Sequence, residues 1–319
     1  MNFQIKNFSI KKFNNDVNHS GDLDDKFLKW SSYRKNVSDF VCNTLNSKLK
    51  SQNIIVFGAG VCNDIDLHFL AEKFDKIVLT DVDTKSISEG IKRQSVNIEE
   101  ADKINIVNAE YSSLESNEFF KTLSGLVNSR APIEIISSFI KKSIDEIKPN
   151  LTLDVFKNTF DVVLCCPTYT QIVYTQAEVL FKILKQFNVC GFNQIEELNS
   201  DINKLMPNIL KGYNDLMLSV MVSDGKIVVL SDVVEILAKD DMLAQLKKRL
   251  SVEPIDEDEL EIFVKECGLD LGKTGLEDLF NKIDKQNTLW TIWPFDEFKE
   301  YLVFGVIGRK KRNSRFKLL

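Results

Sequence analysis

Five short β-branched runs, each followed by a segment of helical periodicity, leave this chain few folds to choose from. They fall at Ile54 to Phe57, Lys76 to Thr80, Ile104 to Val107, Asp161 to Leu164 and Lys226 to Leu230. Apolar runs without polar alternation belong to strands buried on both faces. The pattern therefore predicts a doubly wound α/β fold around a mostly parallel sheet. The alternation breaks at the end of the chain. "TLWTIWPF" and "EYLVFGVIGRKK" are separated only by "DEFK", too short for a crossover helix, so they should pair as an antiparallel hairpin and bring the sheet to seven strands.

With 319 residues and 44% hydrophobic content, the chain can bury the core of one large domain carrying insertions. The net charge of -6 gives no general case for binding nucleic acid or an anionic membrane. Cys42, Cys62, Cys165, Cys166, Cys190 and Cys267 show neither CxxC pairs nor alternation with histidine, and they read as free thiols in a reducing compartment. No apolar run has the length of a signal sequence or a membrane span, so a cytoplasmic location is expected. With two histidines and no metal-like spacing, no metal is expected either.

Residues 1–50 read as an N-terminal segment and helical cap. Its first 25 or so residues lack periodicity and should be mobile or loosely docked, while Phe27, Trp30, Val37, Phe40, Val41 and Leu45 recur at helical spacing. Residues 51–311 hold the α/β unit, with helical insertions at about 112–158 and 190–222, and residues 312–319 end a basic, solvated tail.

Gly58 and Gly60 stand where the first strand hands over to an amphipathic segment. Glycine there lets a ligand approach the backbone, and a helix N-terminus behind it would offer free amides. Some twenty residues on, "KIVLTDVD" puts Asp81 at the carboxyl edge of the neighbouring strand, where an acid accepts from ribose hydroxyls. A nicotinamide or flavin dinucleotide needs a third glycine, and "GAGVCN" has Asn63 in that place, followed by Asp64. An acid there would repel a pyrophosphate. It suits a ligand with an ammonium group, which favours S-adenosylmethionine.

"IIVFGAGVCNDIDLHFL", "KIVLTDVD", "INIVNAEYSSL", "FDVVLCCPTYTQ" and the terminal hairpin occur in a familiar order. From Asn53 to Lys311 the chain resembles the class I S-adenosylmethionine-dependent methyltransferases. The resemblance implies that Gly58, Ala59 and Gly60 pass under the methionine part of the cofactor and that Asp81, with Val82 beside it, holds the ribose. It implies that Glu110 accepts from the adenine amino group, that Tyr111 lies against the ring, and that Cys165 borders the site. Val56 and Cys62 depart from the family pattern, which usually has an acid and often a glycine at these positions, so Asn63 and Asp64 would supply replacement contacts. Cys166, Pro167, Thr168 and Tyr169 are similar to the sequence by which amino-methylating members position a planar nitrogen. Cysteine replaces the amide or carboxylate there, and a thiol accepts hydrogen bonds poorly, so nucleic-acid base methylation is not inferred. In plainer terms, Thr168 or Thr170 caps a helix starting near Gln171.

Trp30, Tyr33 and Arg34 lie on a helix that in the resembling family often closes over the cofactor. Trp30 would face the acceptor, and Tyr33 or Arg34 would meet the methionine carboxylate, or else anchor the helix and sit in solvent. His68 should pack beside the sheet. Methyl transfer from a sulfonium needs alignment and exclusion of water rather than a covalent nucleophile. If a general base acts, Tyr169, Glu235 just after the fifth strand, or an acid of an insertion could serve. Phe119, Phe120, Phe139 and Phe156 read as core, and the insertions and the N-terminal segment as a pocket or lid for a small or peptide-sized acceptor. A methyltransferase-like scaffold without turnover and a nicotinamide-dependent oxidoreductase remain the alternatives.

Overall fold

The computed structural model describes residues 11, 15, 16, 19, 22–45, 51–146, 153–186, 191–238, 240–251 and 254–311. Most of the first 21 residues, Cys190 and the tail at 312–319, on which three of the expectations above fall, lie outside the described residues.

The sheet has seven strands in the order β3-β2-β1-β4-β5-β7-β6. β1 (Asn53–Phe57), β2 (Lys76–Asp81), β3 (Ile104–Asn108), β4 (Phe160–Cys165) and β5 (Met221–Leu237) run parallel. β7 (Lys299–Lys310) is antiparallel to both β5 and β6 (Ile283–Trp293), which is the expected hairpin. The order reverses between β1 and β4, and a doubly wound sheet opens its crevice at the carboxyl ends of the strands flanking such a point.

β5 is much longer than the apolar run "KIVVL" predicts. Its pairing with β4 stops at Val229, yet β7 partners it to Leu237 across an irregularity between Asp232 and Val234. Glu235 therefore lies within a strand, opposite Tyr301, and not just after one.

Alternate residues of the strands face two separate cores. Ile55, Phe57, Val163 and Val229 belong to one. It is covered by α6 (Phe119–Asn128), α7 (Ile133–Glu146), α8 (Tyr174–Gln186), the 29-residue α9 (Phe192–Val220) and α12 (Asp270–Lys282). Phe119 and Phe120 are fully buried in it, and Phe139 and Phe156 pack against it. Ile54, Val56, Leu164 and Val228 belong to the other. Its cover is α2 (Ser31–Cys42), which follows α1 (Leu23–Lys29), together with α3 (Leu67–Lys73) and α4 (Thr84–Arg93). Short α5 (Ile98–Ala101), α10 (Asp241–Leu250) and α11 (Glu257–Cys267) are further α-helices, and Asp154–Phe156 forms one turn of 3-10 helix.

His68 sits on the outside of this arrangement. Its half-exposed ring bonds Glu100 and the Gln94 carbonyl and does not pack beside the sheet. No helix among the described residues is long and apolar enough to cross a membrane.

Candidate active site

β1 runs out into Gly58, whose φ of +71° lies in the left-handed region. A Cβ there would stand 2.2 Å from Thr168 Cγ2, so only glycine lets this turn lie against the loop after β4. A helix does not follow at once. α3 starts at Leu67 and is capped by its own Asp66, which accepts from the Phe69 N–H at 2.9 Å, so the amides facing the site belong to an open loop.

That loop is braced from three sides. Gln94, just past α4, donates to the carbonyls of Cys62 and Ile65 and accepts from the Leu67 N–H. Arg93 Nη1 donates to Asn63 Oδ1 at 3.2 Å. Arg34 Nη1 donates to the Asn63 carbonyl at 2.7 Å and to the Phe27 carbonyl at 3.0 Å, with its guanidinium 3.7 Å from the Phe27 ring centroid. The close packing that a third glycine would provide comes from Gly90 on α4, where a Cβ would meet the Val61 carbonyl at 2.3 Å. Cys62 stands where the resembling family often has glycine, and it holds a left-handed φ of 55°, at a cost of roughly 1–3 kcal/mol.

Asp81 is buried at the end of β2. Its Oδ2 accepts from the Gly60 N–H at 3.0 Å and its Oδ1 from the Asp83 N–H at 2.9 Å, which ties the acid to the turn and leaves a second lone pair on each oxygen. Burial raises its pKa. Glu110, beyond β3, accepts from the Ser112 N–H and hydroxyl through Oε1, while Oε2 is buried without a partner; burial raises this carboxyl too. The Tyr111 hydroxyl turns inward. It accepts from the Gly58 N–H at 3.0 Å and lies 2.8 Å from Thr80 Oγ1, whose own proton goes to the Val56 carbonyl.

A cavity of about 670 Å³ runs along the carboxyl edge of the sheet, within the range of small-molecule and cofactor sites. Its wall brings together Gly58, Ala59 and Gly60 from the β1 turn, Asn63 and Asp64 from the loop, and Asp81 and Val82 from β2. Glu110 and Tyr111 continue it beyond β3, Pro167 and Thr168 beyond β4, and Glu235 and Trp30 close the far end. Asn63 Nδ2 is a buried donor without a partner in that wall. Asp64 accepts from the Cys166 thiol, and burial pushes its pKa up to about 6.

Four residues expected at the site do not line this cavity. Cys165 is a core residue beside Tyr213, its thiol pushed up to about 11 by burial. Arg34 holds the loop from behind. Tyr33 is buried against Trp293, rings stacked at 5.8 Å, with no partner for its hydroxyl. Tyr169 points into the opposite core, where it packs on Gly275 and donates to Asn214 Oδ1 at 2.7 Å. Its phenol proton is spent there, so Tyr169→Phe should leave cofactor affinity within a factor of two. Because Asn214 loses a buried donor, the same change should cost about 1–3 kcal/mol in urea denaturation. Thr168 and Thr170 also depart from expectation. Neither caps a helix: Thr168 bonds the Tyr213 hydroxyl and Thr170 donates to Asp232, because α8 begins only at Tyr174.

The far end of the cavity draws on the N-terminal segment, as expected, but hardly on the insertions. The insertions contribute only Ser112 and Asn203 to the wall, while the junction between α1 and α2, β5 and the hairpin supply Trp30, Asp232, Trp293, Phe295, Lys299 and Tyr301. Sequence periodicity does not single out Asp232. An acid inside the otherwise apolar run "VVLSDVVEIL" was the available signal.

No protein-family model matches the chain, and no curated protein matches it in sequence. Among solved structures it is similar to the N-methyltransferase NodS of Bradyrhizobium japonicum in complex with S-adenosyl-L-homocysteine, at 9% identity over 96% of this chain and 100% of that one, with a TM-score of 0.43. It is similar also to an S-adenosylmethionine-dependent methyltransferase of Methanosarcina mazei, at 10% identity over 85% and 96% of the two chains, with a TM-score of 0.43. A protein of Pyrococcus horikoshii aligns at 12% identity over 88% and 91%, with a TM-score of 0.42. Likeness of this extent carries nothing about activity or acceptor.

Proposed function

We propose that the chain is an S-adenosylmethionine-dependent methyltransferase that moves a methyl group directly to a small-molecule or peptide-sized acceptor. One observation carries the reading. Around a single cavity stand a glycine turn, a buried acid tied to that turn, and a second acid whose Oε2 is buried and unpartnered, on consecutive strands. The donor set fits the cofactor part by part. Asp81 has acceptor capacity left for two ribose hydroxyls, Glu110 Oε2 awaits a donor such as the adenine amino group, and Asp64 with Asn63 suits the methionine ammonium and carboxylate. A positive ligand group beside Asp64 would also draw its carboxyl back toward the usual range.

When bound, S-adenosylmethionine supplies an electrophilic methyl group. The protein's part is then to hold, orient and exclude water. Thr168, wedged against Gly58, fixes the β4 loop where cofactor and acceptor would meet, and the rings of Trp30, Trp293 and Phe295 line the rest. Glu235 accepts from the Tyr301 hydroxyl at 2.7 Å and from Lys299 Nζ at 3.2 Å, and so it holds the hairpin. Asp232 is better placed than Tyr169 or Glu235 to take a proton, since its Oδ1 is buried in the cavity wall without a partner.

The test is calorimetric titration with S-adenosylmethionine, S-adenosylhomocysteine and NAD. Both sulfur nucleosides are expected to bind in the micromolar range, on the order of -8 kcal/mol, and NAD not at all. No heat with any of the three would reduce the chain to a scaffold, and binding of NAD alone would make it an oxidoreductase.

A further inference from the structure

The far end of the cavity has a chemistry of its own. Trp30, Trp293, Phe295 and Tyr301 form a continuous aromatic wall, with Trp30 at 5.0 Å from Trp293 edge-on, Trp293 at 5.0 Å from Phe295, and Phe295 at 5.4 Å from Tyr301. Two ammonium groups already rest on it. Lys299 Nζ is 5.4 Å from the centroids of both Phe295 and Tyr301, and Lys26 Nζ is 5.8 Å from Phe295. Ring faces that attract lysines attract other ammonium ions.

One carboxylate beside this wall is not matched by a lysine. The groups lining the whole cavity include seven acids against two lysines. Among the acids Asp232 stands out, since it is 3% exposed, Thr170 occupies its Oδ2 at 2.7 Å, and its Oδ1 has no partner. An unpaired buried carboxylate repels an anionic acceptor and rewards one that brings a positive donor. The indole N–H groups of Trp30 and Trp293 are buried and unpartnered as well, and they would suit an uncharged oxygen on the same molecule.

We propose that the methyl acceptor is an amine, held as its ammonium between Asp232 and the aromatic wall of Trp30, Trp293, Phe295 and Tyr301. The inference rests on the methyltransferase reading. Before attack the ammonium yields one proton to Asp232, which passes it to water. The nitrogen lone pair then forms the new N–C bond to the methyl carbon as the C–S bond breaks. That electron pair stays on sulfur, and the products are a methylated ammonium and a neutral thioether. Burial pushes Asp232 up to about 6, so the group is a carboxylate at neutral pH and a stronger base than an exposed aspartate. The groups facing it are Thr170 from the β4 loop, Tyr33 from α2, Glu235 on its own strand, and Lys299 and Tyr301 from β7.

The test uses the full chain saturated with S-adenosylhomocysteine, which fills the cofactor part with a neutral sulfur. Three probes of one shape are titrated into it: choline, its uncharged carbon isostere 3,3-dimethyl-1-butanol, and the anion 3,3-dimethylbutyrate. Choline is expected to bind at least tenfold more tightly than either, and the margin should vanish in Asp232→Asn, whose folding is verified by unchanged affinity for S-adenosylhomocysteine. Since choline keeps its charge at every pH, its affinity should also fall as the pH drops through about 6 in the natural chain and stay flat in the variant. Failure of choline to bind more tightly than its isostere, or tighter binding of the anion, would overturn the amine assignment and leave the methyltransferase reading intact. Failure of S-adenosylhomocysteine to bind would overturn both.

Discussion

Calorimetric titration of Asp81→Ala is expected to give no heat with either S-adenosylmethionine or S-adenosylhomocysteine at concentrations where the natural chain binds both. Asp81 is buried and accepts from the Gly60 and Asp83 amides. Two hydroxyl donors of a ribose would each add a charge-assisted bond worth about 1.5–3 kcal/mol. Losing both weakens binding by roughly 10²–10⁴-fold. Asp81→Asn separates this from damage to the turn. The amide keeps one oxygen acceptor but turns an NH₂ toward a backbone donor or a hydroxyl, so its affinity should fall between the natural chain and the alanine variant, with an unchanged circular dichroism spectrum. Full affinity in Asp81→Ala would remove this acid from the cofactor site.

The second large effect is on stability, and its sign is unusual for an aspartate. Burial raises Asp232 from 3.8 to about 6 in the folded chain. Between those two values the folded state holds a proton that the unfolded state has released, so the stability of the natural chain falls as pH rises through the window. The shift corresponds to about 3 kcal/mol once pH has passed 6. Asp232→Asn does not titrate. Relative to the natural chain, the variant should therefore gain up to about 3 kcal/mol between pH 4 and pH 7 in urea denaturation, while losing the choline preference described above. A stability difference that stays constant across those pH values would mean that Asp232 is solvated. Other carboxyls shifted the opposite way, such as Glu89 beside His19 and Glu100 beside His68, cancel in this comparison because both chains carry them.

That Gly58, Asp81 and Glu110 meet at one cavity was legible in the sequence because their placement is local. Gly58, Asp81 and Glu110 follow strands whose β-branched runs mark their own ends, so register along the chain becomes position along the sheet edge. The hairpin side of the cavity was not, for reasons of partnership. Nothing in "SDVVEIL" announces that β5 continues past Leu230. It continues because β7 offers a ladder as far as Leu237, and this carries Asp232 and Glu235 into the cavity wall. The likeness of "CPTY" to an acceptor motif was misleading at Tyr169, because side-chain direction is decided by the space over Gly275 and the amide of Asn214. The strands of the hairpin were evident, but not that Trp293 and Phe295 would meet Trp30 from the other end of the chain.

That last contact sets an order on the protein's birth. Trp30 leaves the ribosome well before Trp293, Phe295 and Tyr301 and must wait for them before its wall can close. At ordinary elongation rates of roughly 5–20 residues per second, the interval is some tens of seconds. Throughout it the indole lacks its native cover, while the pairing of β1, β2 and β3 can already form. A nascent chain stalled before the hairpin would thus carry the glycine turn, Asp81 and Glu110 but not the aromatic wall. The wall of the cavity is completed only once β6 and β7 have paired.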